Sequence, residues 1–201
     1  MIPSIEECYK LLKEEKVPEH IIRHSEKVAL VSLFIGGCLK EKGEDLNLPL
    51  LLAGALLHDI KKYESILTGI NHAEAGYKLL KSLGYKRVAE IVKNHIYLNL
   101  DLYSPIKEDE IVFYADKRVK HEQIVSLKER FIDLKERYGR NPKSLARLQF
   151  LEKITYLIEN RIFNKLPFSP EKVLELEKIK EVKNVLYKNI ENSTSCWWKI
   201  F

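Results

Sequence analysis

Residues 51–57, Leu-Leu-Ala-Gly-Ala-Leu-Leu, form an apolar run that ends in His58-Asp59 and, after Ile60, the pair Lys61-Lys62. A helix apolar on all sides has to be covered by other elements, so this stretch becomes the centre around which the chain is organised. Burying such a helix is ordinary; ending it in a histidine, a carboxylate and two cations is not. Neighbouring residues on a helix lie about 100° apart and do not face one point. In a last turn the backbone can open enough for His58 and Asp59 to converge. Two readings stand: a histidine at a helix C-terminus favoured by the dipole, or half of a metal site. The pair alone does not decide between them.

What surrounds the run is helical in pattern. Only 8 Gly and 7 Pro occur among 201 residues, and a chain of this length suits one domain with an extension. Ser4 with Glu7 makes a capping-box pattern before Ile5, Cys8, Leu11 and Leu12. Pro18 opens a helix to about residue 42, with His24 on its apolar stripe of Ile21, Val28, Val31 and Ile35. Asn71 caps the next, with His72 in its first turn and Glu74 at the capping-box position. A helix over about 86–98 carries Val88, Ile91, Val92 and His95. Another, from about Lys107, carries Ile111, Val112, Ala115, Asp116 and Val119. Further helices are expected over about 122–137, 143–163 and from Pro170 to about 191, with loops around 62–71 and 98–107. Strand alternation of useful length is absent. The reading is an all-α fold: a helical domain over 1–138, and a helical C-terminal extension over 139–201 packed on it.

Composition removes several classes. Cys8, Cys38 and Cys196 are far apart and odd in number, which indicates neither a disulfide framework nor a cysteine zinc site. The N-terminus lacks a basic region followed by an apolar one, so no signal peptide is expected. No apolar run reaches the ~18 residues of a membrane span, and a cytoplasmic protein is expected. Residues 1–116 hold 15 Lys/Arg against 18 Asp/Glu, and residues 117–201 hold 19 against 11. The basic C-terminal part is either a solvated helical face or an attraction for phosphate-bearing partners. Trp197-Trp198 reads as an apolar terminal anchor rather than a base-stacking pair.

His24, His58, Asp59, His72, His95 and Asp116 draw the argument together. His24, His95 and Asp116 lie mid-helix beside apolar neighbours, and a buried aspartate is costly unless it is paired or bound to a metal. One such histidine would be an ordinary core residue; four histidines and two aspartates in one all-α domain indicate a metal site. Imidazole and carboxylate donors suit Mn, Fe, Co, Ni or Zn, and six side chains exceed the need of one tetrahedral site.

His24 in Arg-His-Ser-Glu-Lys-Val-Ala, the His58-Asp59 pair, and Asp116 in Tyr-Ala-Asp-Lys-Arg-Val resemble the H…HD…D signature of the HD superfamily of metal-dependent phosphohydrolases. His72 in His-Ala-Glu-Ala-Gly and His95 resemble the additional histidines of its two-metal members. The resemblance covers about residues 18–125. It implies an HD-type helical bundle in which His24, His58, Asp59 and Asp116 hold one divalent ion and Asp59 bridges to a second held by His72 and His95. Magnesium is a further option for either position. It also implies hydrolysis of a phosphomonoester or phosphodiester, with a nucleotide as the leading small phosphorylated substrate and a metal-activated water as nucleophile. Asp59 and Lys62 are the catalytic residues on this reading, and Lys62, Lys117 and Arg118 contact the phosphoryl group. Lys62 matches the family lysine, while Lys61 stands where many members have glycine and Asn94 where two-metal members often have a second histidine. Two other classes remain open: a di-iron oxygenase of the same fold, and a nucleotide- or nucleic-acid-binding regulatory module with a structural metal. Nucleic acid as a partner and self-association into a homo-oligomer are left open as well. His20, four residues before His24, is left with a role behind the ligands, at the rim, or none, and His121 is expected to point elsewhere.

Overall fold

The computed structural model describes residues 1–191. Ten α-helices are defined there: α1 (Ile5–Glu14), α2 (Glu19–Glu41), α3 (Leu48–Leu57), α4 (Lys62–Thr68), α5 (His72–Ser82), α6 (Lys86–Asn94), α7 (Glu108–Lys117), α8 (Leu127–Tyr138), α9 (Pro142–Phe163) and α10 (Val182–Glu191). A 3₁₀ segment spans Pro170–Lys178, and two short strands, β1 (Val119–Lys120) and β2 (Gln123–Ile124), separate α7 from α8. The fold is all-α.

The apolar run is the buried axis. Every α3 residue from Leu50 to Leu57 is buried, because α1, α2, α6 and α7 pack around it. Its start is set by Asn47, whose side chain accepts from the Leu50 amide at 2.9 Å, with Pro49 in the first turn. Two glycines let the neighbouring helices close in. A Cβ on Gly54 would lie 2.7 Å from Ile91 Cγ2, and one on Gly76 would lie 2.8 Å from Val92 Cγ1. So α6 approaches both α3 and α5 at distances no side chain would allow, and all three carry site histidines.

Several local expectations are corrected. The helix from Lys107 stops at Lys117 instead of running past Val119. Val119 and Lys120 pair antiparallel with Ile124 and Gln123, joined by a two-residue turn in which His121 has φ 55°. Buried Val119 and Ile124 are β-branched and favour the extended backbone, so α8 begins at Leu127 rather than near 122. The expected loop after Lys61 contains α4, which buries none of its residues and ends at Gly69 with φ 76°. The last expected helix is divided: the 3₁₀ turns end at Lys178 and α10 starts at Val182.

The C-terminal third shares the main core. Leu148, Ile158, Ile162, Phe163, Val173, Leu176 and Leu186 belong to the same apolar cluster as α3, and α9 packs on α7 and α8 while α10 packs on α2. Cys196 and the Trp197-Trp198 pair lie outside the described residues. Among the described residues no helix is long and apolar enough to cross a membrane.

Candidate metal centre

His58 caps the C-terminus of α3 and Asp59 follows it in a turn. The chain leaves the α-helix there: Ile60 N–H donates to Leu57 O at 3.1 Å and Lys62 N–H to Asp59 O at 2.8 Å. That opening turns both side chains toward one cavity. Lys61 is tied down on either side, 2.6 Å from Glu15 and 2.6 Å from Glu64, so it anchors the turn to α1 and α4.

Four helices bring the remaining donors. His24 comes from α2, Asp116 from α7, His72 from the first turn of α5 and His95 from the C-cap of α6. They form two groups with Asp59 in both: His24, His58 and Asp59, and Asp59, His72 and His95. Asp59 Oδ2 is 3.6 Å from His58 Nε2, and Asp116 Oδ1 is 3.1 Å from His24 Nε2 and 3.7 Å from His58 Nε2. On the other side, Asp59 Oδ1 is 3.1 Å from His72 Nε2 and 3.5 Å from His95 Nε2, while those two nitrogens are 3.1 Å apart. Two donors at ~2.1 Å from a common ion are about 3.0 Å apart at right angles and about 3.4 Å apart at the tetrahedral angle. The observed separations fall around those edges.

The outer nitrogens fix the tautomers. His58 Nδ1 donates to Ala55 O at 2.7 Å, His95 Nδ1 to Val92 O at 2.6 Å and His24 Nδ1 to His121 O at 2.6 Å. In each neutral ring Nε2 then carries a lone pair directed into the cavity, the usual preparation of a metal-binding histidine. At His24 that lone pair faces a carboxylate oxygen, which only a proton or a metal ion between them can reconcile. His58 Nε2 and Asp59 Oδ1 are buried with no hydrogen-bond partner. Orphaned buried acceptors are costly, and a divalent cation satisfies both at once. The donor set therefore fits a divalent metal site.

The charges agree with that fit. Burial drives the His58 pKa down to about 4, keeping the ring neutral. Burial also lowers His24, but its hydrogen bond and charge interaction with Asp116 prevail and raise it above the ordinary histidine value. For Asp59, burial alone would raise the carboxyl; His58 and Lys62, with His72 and His95 close by, hold it well below the ordinary aspartate range. Asp116 is also held well below the ordinary aspartate range against its burial, chiefly by Lys117 and His24.

The expected substrate cations separate in the structure. Lys62 reaches the cavity, with Nζ 3.9 Å from Asp59 Oδ1 and a side chain 39% exposed. Lys117 is buried and donates to Asp116 Oδ2 at 2.6 Å and to His95 O at 3.0 Å; it orients one donor and ties α7 to α6. Arg118 departs from its expected role. It is 2% exposed and donates to Val125 O, Tyr114 Oη and Pro170 O, and sits 3.4 Å from Glu159. Its guanidinium joins α7 to α9 and the 3₁₀ segment. Asn94 donates to Asp109.

A cavity of about 650 Å³ opens over the cluster, lined also by His20, Ile66, Ile96, His121, Arg130, Arg137 and Tyr138. Sequence reasoning set His121 aside, yet its carbonyl holds His24 in place. Its spacing of five from Asp116 points it elsewhere, and only the hairpin turns that carbonyl inward. Arg130 and Arg137 were also missed, although their seven-residue separation puts them on one face of α8.

The HD domain family model matches residues 21–120. A tRNA (cytidine(56)-2'-O)-methyltransferase of Picrophilus torridus is 32% identical over 142 residues, covering 64% of this chain and 40% of that protein. An uncharacterized protein of Methanocaldococcus jannaschii is 31% identical over 156 residues, covering 71% of this chain and 89% of that protein. The chain thus spans less than half of the methyltransferase and most of the second relative. No solved structure matches significantly.

Proposed function

This chain belongs to the HD domain family, and on that premise we propose that it is a metal-dependent phosphohydrolase acting on a phosphomonoester or phosphodiester, with a nucleotide as the favoured substrate. One observation carries the reading: two groups of imidazole and carboxylate donors share Asp59, with His58 Nε2 and Asp59 Oδ1 buried and unpartnered. His24, His58, Asp59 and Asp116 would hold one divalent ion, and Asp59, His72 and His95 a second. Mn, Fe, Co, Ni and Zn suit these donors, and Mg remains an option for oxygen-rich positions. When bound, such ions supply an activated water at neutral pH and offset phosphoryl charge.

The chain's own residues do the rest. Asp59 keeps the two donor groups in register, one oxygen turned toward each. Lys62, free to extend from the first turn of α4, neutralises a phosphoryl oxygen as charge builds on it. Lys117 acts through Asp116, fixing its orientation. Residues 1–138 would make up the metal-binding unit on this reading, with residues 139–201 as its helical extension, and the protein would act in the cytoplasm.

A second reading has support of its own. The similarity to a tRNA-modifying enzyme and the excess of Lys/Arg beyond residue 117 favour an RNA or RNA-derived substrate over a free nucleotide. A di-iron oxygenase would use the same donors.

The test is metal analysis of the purified protein, joined to a screen of phosphoesters, nucleotides and short RNAs with Mn, Ni, Co or Mg. Hydrolysis that disappears in His58→Ala and Asp59→Ala supports the proposal. Turnover unaffected by both substitutions refutes it, and a tightly held iron pair with oxygen consumption replaces it with the oxygenase.

A further inference from the structure

Arg130 and Arg137 of α8 line the same cavity as the His/Asp cluster, and Asp133 lies between them on one helical face. Asp133 Oδ2 accepts from Arg130 Nη1 at 3.0 Å, and its Oδ1 accepts from Arg137 Nε at 2.9 Å. Arg137 Nη2 donates to His121 Nε2 at 2.5 Å, and the His121 carbonyl accepts from His24 Nδ1 at 2.6 Å. An unbroken chain of contacts therefore runs from a candidate metal ligand to the arginine pair.

A carboxylate needs one guanidinium for neutrality; this one has two, so the trio keeps an uncompensated positive charge. The Arg130 side chain is only 14% exposed, and its Nε is buried with no hydrogen-bond partner. Desolvating a second cation beside an already neutralised carboxylate is costly for a merely structural pair. Held by Asp133, both planar forks keep N–H donors for an anion, and that fork matches phosphate oxygens better than an ammonium does.

We propose that Arg130 and Arg137 form an anion subsite that binds a second phosphoryl group of the substrate, apart from the one cleaved at the His/Asp cluster. The inference rests on the phosphohydrolase reading and narrows its substrate class to phosphoesters with at least two phosphoryl groups. It draws on α8, which lies beyond residue 120, where the family match ends. The second group comes from a small bisphosphate or from the adjoining phosphate of an oligonucleotide.

The experiment uses the full chain loaded with Mn. Calorimetric binding of adenosine 5'-monophosphate, adenosine 3',5'-bisphosphate and a 5'-phosphorylated dinucleotide is measured for wild type, Arg137→Gln and Arg130→Met/Arg137→Met, with phosphate release followed in parallel. Wild type should bind one of the two-phosphate ligands about 10-fold or more tighter than the monophosphate, as charge-assisted bidentate contacts allow. Which one it prefers identifies the source. The single variant should reduce that ratio and the double variant should bring it to within about 2-fold of unity, with Mn stoichiometry as the check on folding. An equal affinity for all three ligands in wild type, or a ratio that survives both variants, overturns the subsite. Hydrolysis without any preference would sink the subsite alone. An arginine-dependent preference without hydrolysis would sink the phosphohydrolase reading alone.

Discussion

Gly54→Ala tests whether the approach of α6 to α3 sets the second half of the site. The new Cβ would lie 2.7 and 2.9 Å from Ile91 Cγ2 and Cδ1, and 3.2 Å from Ile91 Cβ. Rotating Ile91 relieves the first two contacts but not the third, because Cβ is fixed to the backbone. The helices must then separate by roughly 0.5 Å to restore ordinary carbon contacts. His95 sits four residues after Ile91, so the shift passes to a nitrogen now 3.5 Å from Asp59 Oδ1. Metal-ligand distances tolerate about ±0.2 Å, and the displacement exceeds that. Overpacking should cost about 1–3 kcal/mol, offset by up to ~1 kcal/mol from replacing a mid-helix glycine. Chelator-treated protein should therefore lose about 0–3 kcal/mol in urea unfolding. On titration with Mn or Ni, the ion proposed for His24, His58, Asp59 and Asp116 should bind nearly as before. The ion proposed for His72 and His95 should weaken about 10-fold or more, the size of effect that misplaced ligands produce. Wild-type affinity for both ions, with stability raised by ~1 kcal/mol, would refute this packing argument.

Arg118→Met should destabilise the chain by about 2–4 kcal/mol, because it removes a buried guanidinium that binds Val125 O and Pro170 O and leaves half-buried Glu159 with Tyr114 alone; adding Glu159→Leu should recover part of this, and a single variant as stable as wild type would contradict the interior role of Arg118. Lys62→Ala should lower kcat/KM about 10-fold through the lost phosphoryl contact while metal stoichiometry stays intact; unchanged kinetics would remove Lys62 from the site. In chelator-treated protein His58 is neutral with its pKa driven from 6.5 to about 4, so below pH 6.5 the unfolded chain gains a proton that the folded one resists. Stability from this group is complete above pH 6.5 and falls by roughly 3 kcal/mol on the way to pH 4. His24, raised in the fold, works in the opposite sense, so the comparison is wild type against His58→Gln. A stability difference between them that stays constant from pH 7 to pH 4 would reject the assignment.

The donor residues were legible in the sequence because their chemistry is out of place there. Asp116 beside Val112 and Ala115 and His95 beside Ile91 and Val92 contradict an apolar face, and the structure brings Asp116 to His24 and His58 and His95 to Asp59. The buried course of α3 was legible for the complementary reason, an apolar run with no polar side. What was hidden depends on small local choices. The sequence reads as one helix up to Val119 and another from about residue 122, yet the β-branched pair and the left-handed His121 make a hairpin, and only the hairpin aims the His121 carbonyl at His24. Arg118 follows Asp116 by two residues and looked like a site cation, but two positions along a helix point nearly opposite ways, and it serves the contact with α9. Lys117 lines the cavity but engages Asp116 and the His95 carbonyl. Arg130 and Arg137 carried a visible spacing, but nothing in the sequence told where α8 would lie.

The central claim, that Asp59 joins two donor groups into one two-ion site, is tested most directly by metal stoichiometry and Mn(II) magnetic resonance on wild type and Asp59→Asn. Wild type should take up two ions per chain and show a spin-coupled signal, and Asp59→Asn should lose the coupling and at least one ion. A single uncoupled ion in wild type, or a coupled pair that persists in Asp59→Asn, would contradict it.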